Sequence, residues 1–223
     1  LGYKYLRSNK GGMFSFTTIL AIIGLMIGIA SLIVVTSVMN GFEKELENRI
    51  LGVIPHSVIY ADAPIDNYNQ VIKKIKYDNH IIDASPYISI QGLISSPYQS
   101  MGINLIGIDP LNEANMSIIP EYMIAGNIID LKEDNTIILG SLLAANIGIY
   151  IGDEVNITTS DIRTSIIGSF PKSVNLKVVG IYELKTEIDQ SLTLVSHKTT
   201  QKLKNIDNNQ TLSIRLKTNN LFD

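Results

Sequence analysis

Three histidines, His56, His80 and His197, are the side chains in this sequence best suited to metal binding or proton transfer near neutral pH. They stand far apart, and none has a carboxylate or a second histidine at a ligand spacing, so a surface position is expected for each. Glu43, Glu45 and Glu47 fall in a helical segment, where they make a solvated face and not an acid–base pair. Glu183, Glu187 and Asp189 read as turn and surface charge. The chain contains no Cys, which excludes disulfides, thiolate catalysis and Cys-ligated metals. No G-x-x-x-x-G-K-[ST] loop is present, so ATP is not bound by that route. These residues point away from an enzyme and imply no cofactor.

The elements that would have to position a reaction centre tell a different story. Of 223 residues, 45% are hydrophobic and 17% charged, apolar for a soluble chain yet dilute for one that crosses a membrane many times. No charged residue occurs between Lys10 and Glu43. Within that window residues 19–38 (ILAIIGLMIGIASLIVVTSV) are long enough, as a helix, to cross about 30 Å of hydrocarbon. A cleaved signal peptide is the plainer alternative, but its apolar region is about 7–15 residues and no A-x-A site follows here. A buried soluble helix is a second alternative. Lys4, Arg7 and Lys10 precede the segment and predict a cytoplasmic N-terminus, with the remainder outside the cytoplasm. Residues 1–42 carry +3, which leaves −6 of the total −3 for the rest. A mildly acidic body without a basic patch argues against a nucleic-acid partner.

This helix has a face. Thr17, Ala21, Gly24, Gly28, Ser31 and Val35 recur at spacings of four and three, and small residues let helix backbones approach inside lipid. Ala21, Gly24, Gly28 and Ser31 are the expected packing residues, and the abundance of Gly and Ala in membrane helices is the alternative account. Beyond the span, Phe42, Leu46, Ile50 and Val53 form an apolar stripe, with Glu43, Lys44, Glu45, Glu47 and Asn48 turned away. Glu45 and Arg49 make an i,i+4 pair, and Pro55 ends the helix. Asn40-Gly41 has the character of a turn, and Asn40 with Glu43 resembles a capping box that would open a second helix.

The body reads as α+β. Strands are expected over 57–61, 84–94, 100–108, 136–139, 154–159, 176–182, 192–195 and 211–217, with helices over 68–77, 140–146 and 199–204. Strand–helix–strand units at both ends with a β-rich middle suggest an inserted subdomain. GIDPLNEANM and the Pro120 region read as irregular loop. Residues 160–174 (SDIRTSIIGSFPKSV) read as a long loop whose Ile166, Ile167 and Phe170 either fold back or meet a partner.

The run GGMFSFTTILAIIGLMIGIASLIVVTSVMNGFEKELENRILGVIPH resembles the start of lipoprotein-releasing permeases of the Lol C/E type, in the wider FtsX/MacB superfamily. PYISIQGLI, GIDP, IILGSLLAANIGIYIGDEV and LKVVGIY are similar to that family's periplasmic domain in order and spacing. The resemblance implies one N-terminal transmembrane helix with a stalk, then a MacB-like periplasmic domain with porter-like βαβ units and an inserted sabre-like subdomain. On that reading residues 1–15 are cytoplasmic, 16–40 span the membrane and 41–55 form the stalk. Residues 56–109 and 175–223 are porter-like, and 110–174 sabre-like with a protruding loop at 160–174. The chain, which starts at Leu1 and stops after a strand at Asp223, reads as a fragment of such a protein.

The resemblance further implies an inner-membrane ABC transporter permease that extracts lipoproteins and passes them to a periplasmic carrier. Its partners would be a LolD-like ATPase, a second permease subunit, a LolA-like carrier, lipoprotein substrates and membrane lipid. Met39, Phe42, Leu46 and Ile50 would touch the acyl chains. Arg163, Ile167, Phe170, Pro171 and Lys172 would contact the carrier, since Gly168–Pro171 shares the G-x-x-P element of the C-type carrier-binding hook. The N-terminal GGMFSFTTI is closer to the E-type. Other expectations stay open: another FtsX/MacB-type permease in efflux or cell division, or a single-pass anchored sensor or interaction domain.

Overall fold

Short runs rich in Ile, Val and Thr, bounded by Gly, Pro and Asn, favour paired strands because β-branched side chains pack on a pleated surface. In the computed structural model of this chain those runs form a nine-stranded sheet system. The structure describes residues 16–55, 57–165 and 168–218. In chain order the elements are α1 (Phe16–Leu51), β1 (Ser57–Asp66), α2 (Tyr68–Ile75), β2 (Ile81–Ser95), β3 (Ser100–Ile108) and α3 (Glu113–Met116). They continue with β4 (Met123–Gly126), β5 (Thr136–Gly140), α4 (Ser141–Ile147), β6 (Glu154–Ser165) and β7 (Gly168–Tyr182). Last come β8 (Leu192–Ser196), α5 (His197–Lys204) and β9 (Gln210–Thr218).

The chain divides into two compact units at Glu47/Asn48. The first consists of α1 up to that point. Helix α1 runs unbroken through Asn40-Gly41, which corrects the turn and second-helix reading of that dipeptide. A glycine inside a helix costs about 1 kcal/mol, whereas ending one helix and nucleating another forfeits several backbone bonds. At 36 residues the helix is about 54 Å long, well beyond the hydrocarbon thickness.

In the second unit, the head, β2 serves two sheets. Its first half pairs with β9, which also pairs with β1, and helix α2 covers that sheet through Ile72, Ala84, Ile214 and Leu216. Pro86 lies in this half, where β9 alone flanks the strand, so its missing N–H breaks no second ladder. From Ile88 onward β2 pairs with β3, then β3 with β8, β8 with β5, β5 with β7, β7 with β6, and β6 returns to β2. The strands thus close a ring, which removes exposed edges. Ile90, Leu105, Ile137, Leu139, Val155 and Val178 fill it, and Leu143 and Ile147 of α4 pack against them. Alternation puts Ile138 on the other face of β5, in an outer core with Val53, Ile108, Leu131 and Tyr182. Each such fully buried aliphatic side chain contributes about 1.5–3 kcal/mol.

The segments expected as porter-like and sabre-like share one strand network. Segment 110–174 supplies β5 and β6 to the closed ring, and β5 lies between β7 and β8 with all five residues buried. The long loop expected at 160–174 is a correction. β6 continues to Ser165 and β7 starts at Gly168, with Ser165 opposite Gly168. Ser160 and Asp161 are extra on β6, between the pairs Thr159–Lys172 and Ile162–Pro171. Such a bulge bends a hairpin and turns its arm.

Candidate functional site

The first candidate is the apolar surface of α1. Ile22, Leu25, Ile29 and Ile33 are all exposed, and no charged residue lies between Phe16 and Phe42. In water this surface would be costly, which marks it as one made for lipid or for other helices. Ala21, Gly24, Gly28 and Ser31 are likewise exposed, and a Cβ placed on either glycine would meet nothing within 4 Å. Met39 and Phe42 are exposed at 63% and 59%. Ile50 is half-buried and belongs to the head, and the side chain of Leu46 lies outside the described residues. The expected four-residue stripe is thus divided between the two units. Lys4, Arg7, Lys10 and His56 also lie outside the described residues.

The foot of α1, from Asn48 on, is built into the head. Arg49 Nη1 donates to the Leu184 carbonyl at 3.0 Å, and its guanidinium lies 5.3 Å from the centroid of the Tyr122 ring. Ile118 N–H donates to the Gly52 carbonyl at 3.0 Å, and Val53 is buried. Beside the foot is a mainly apolar cavity of about 290 Å³, lined by Val53, Pro55, Tyr87, Ile106, Ile188 and Leu192. Its size is at the lower end for a small-molecule site.

The second candidate is the β6–β7 hairpin. Pro171 is exposed, but Lys172 is turned inward, with only 8% of its surface accessible. Its ammonium donates to the Leu203 carbonyl at 2.5 Å and the Lys202 carbonyl at 3.0 Å, at the C-terminal end of α5. A cation there meets helix-end carbonyls and the negative end of the helix dipole, which offsets its desolvation. Lys172 anchors the hairpin root and does not present its charge at the surface. The side chains of Arg163, Ile167 and Phe170 lie outside the described residues.

A third region is polar. A cavity of about 410 Å³ is lined by Tyr68, Asp109, Lys132, Ser196, His197 and Lys198. His197 is buried, which corrects its expected surface position; helix α5 begins there and turns the ring under Tyr68, edge-on at 5.4 Å. Neither ring nitrogen makes a hydrogen bond of good geometry. Burial lowers the pKa to about 4, against a weaker pull upward from the Gln210 backbone. Asp189, also expected at the surface, is fully buried, and its carboxylate accepts the N–H groups of Leu184 and Lys185. Its pKa is raised because burial outweighs those bonds. His80 does stand exposed, 3.2 Å from Asp78. Among the described residues no cluster of three or more His, Asp or Glu could hold a metal.

Sequence reasoning missed the largest buried polar feature. Arg215 of β9 forms an ion pair with Glu113 of α3, both almost fully buried, and Ser117 Oγ donates to Glu113 at 2.6 Å. The pair pins to the sheet a segment that reads as irregular loop. No local spacing could reveal partners 102 residues apart.

Residues 18–221 match the MacB-like periplasmic core domain family. The lipoprotein-releasing system transmembrane protein LolC of Neisseria meningitidis serogroup B is 33% identical over 97% of this chain and 53% of its own length. LolE of Haemophilus influenzae is 24% identical over 100% of this chain and 55% of its own. The chain spans about half the length of these curated relatives. The crystal structure of the periplasmic region of MacB from Actinobacillus actinomycetemcomitans covers 72% of each chain, with 13% identity and a TM-score of 0.47. With its apolar helix and mixed sheet, and a family match over nearly its whole length, this chain belongs to the MacB-like periplasmic core domain family.

Proposed function

We propose that this chain is the first membrane span and extracytoplasmic domain of a permease subunit that releases lipoproteins from the inner membrane. The observation that carries the reading is the 33% identity to a lipoprotein-releasing transmembrane protein over 97% of the chain, joined to an exposed helix free of charge from Phe16 to Phe42. Residues 1–15 face the cytoplasm and the head lies in the periplasm. The subunit itself is non-catalytic: ATP hydrolysis belongs to a separate LolD-like subunit, a second permease subunit meets the small-residue row of α1, and a LolA-like carrier takes the released lipoprotein.

Met39 and Phe42, exposed above the small-residue row, are suited to hold acyl chains as they leave the outer leaflet. Leu46 and Ile50 continue that path in sequence. Photoactivatable side chains at positions 39 and 42, in cells, are expected to capture lipoprotein in an ATP-dependent way. A permease of efflux or cell division would present the same helix and capture none, so a blank result at both positions overturns the reading.

A further inference from the structure

Gly52 follows α1 directly, and a glycine there would ordinarily let the chain pivot. Around it the foot of the helix is fastened on three sides. Arg49 donates to the Leu184 carbonyl and stacks over Tyr122, Gly52 accepts from Ile118 N–H, and Val53 is sunk in the outer core. The partners of Arg49 are themselves held. Leu184 N–H donates to the buried Asp189 carboxylate at 3.0 Å, and the Tyr122 carbonyl accepts from Glu183 N–H at 3.0 Å. Arg49 therefore bridges the 119–122 turn and the 183–191 connection, and that connection joins β7 to β8, two strands of the closed ring. An arginine suits the place: its planar fork donates and stacks at once, and a partly buried, charge-assisted bond is stronger than a surface ion pair.

We propose that Arg49 is a positioning residue that locks the Gly52 pivot, so that displacement of the helix foot reaches the 183–191 connection and the ring. This rests on the transport reading above. Backbone bonds from Val53 N–H and Ile54 N–H to the Ile50 carbonyl also span Gly52, and Arg49 adds the side-chain tie that carries the foot's displacement to the 183–191 connection.

The test uses the whole transporter with its ATPase subunit, a triacylated lipoprotein and soluble carrier. Lipoprotein released per ATP hydrolysed is measured beside backbone hydrogen exchange. Arg49→Ala is expected to lower release per ATP about fivefold while the assembled yield and the hydrolysis rate hold. Exchange at residues 184–189 should rise, and Arg49→Lys, which keeps the charge over Tyr122, should restore at least about half of the release. Unchanged release per ATP in Arg49→Ala overturns the proposal. So does a parallel fall in yield, hydrolysis and release that lysine fails to rescue, since that is the mark of a merely structural residue. Should Arg49→Ala not assemble, Tyr122→Leu removes the ring face and keeps an apolar side chain; it is expected to show the same loss, and full release per ATP in that variant overturns the lock. If the wild-type complex releases no lipoprotein, the transport reading fails by itself. The lock is then judged by exchange alone, and no rise at residues 184–189 overturns it.

Discussion

His197 shows how one buried side chain ties the stability of this head to pH. Folding buries its ring beneath Tyr68, where desolvation outweighs the Gln210 backbone contact, and lowers its pKa from 6.5 to about 4. As pH falls the unfolded chain takes up the proton first, so the stability held above about pH 6.5 is lost progressively toward pH 4. Between about pH 7.5 and pH 5 this one group is expected to remove up to about 2 kcal/mol. His197→Phe should flatten that part of the profile, as read from urea midpoints at the two pH values. Identical pH dependence in both proteins would show that the ring is not held neutral. Lys172 makes the complementary point. A lysine expected to meet a partner instead donates to the carbonyls of α5.

Between elements, β3 and α5 approach closely at a glycine. A Cβ on Gly107 would lie 2.1 Å from Thr200 Oγ1, and Thr200 is fully buried. No rotamer change clears such a distance, so Gly107→Ala is expected to cost about 1–3 kcal/mol through forced displacement of α5. Thr200→Ala by itself forfeits the hydroxyl bond to the His197 carbonyl, at about 1 kcal/mol. Combined, the two substitutions should destabilise by less than their sum, because the alanine methyl then enters the space the threonine left. Chemical denaturation of the three variants decides the matter, and strict additivity would refute the contact. The buried Glu113–Arg215 pair works at the same scale, binding the short α3 to β9.

For the whole molecule, closure of the ring matters most. A head whose strands all depend on their neighbours has a stable root from which a hairpin can project. The bulge at Ser160–Asp161 and the Lys172 anchor fix that root. If the hairpin binds a carrier, as proposed from Arg163, Ile167, Phe170 and Pro171, then replacing residues 164–169 by Asn-Gly should abolish carrier capture. The anchor remains in that variant, so the thermal midpoint should stay within about 3 °C of wild type. Carrier pull-down and a melting curve measure the two effects, and undiminished capture would remove the hairpin from the proposal.

By itself the sequence determined what rests on local spacing. The uncharged stretch before Glu43 marked the exposed helix, and the apolar patterns at 100–108, 136–139 and 211–217 marked strands that formed. The strands expected over 84–94 and 100–108 pair directly as neighbours. Tertiary structure alone decided how those pieces close, because pairing between strands such as β2 and β6 joins residues more than sixty positions apart. It also decided which polar groups turn inward. Composition gives His197, Asp189, Lys172 and Arg215 no reason to be buried; their carbonyl, N–H and carboxylate partners, or the lack of them, exist only once the ring has brought distant segments together.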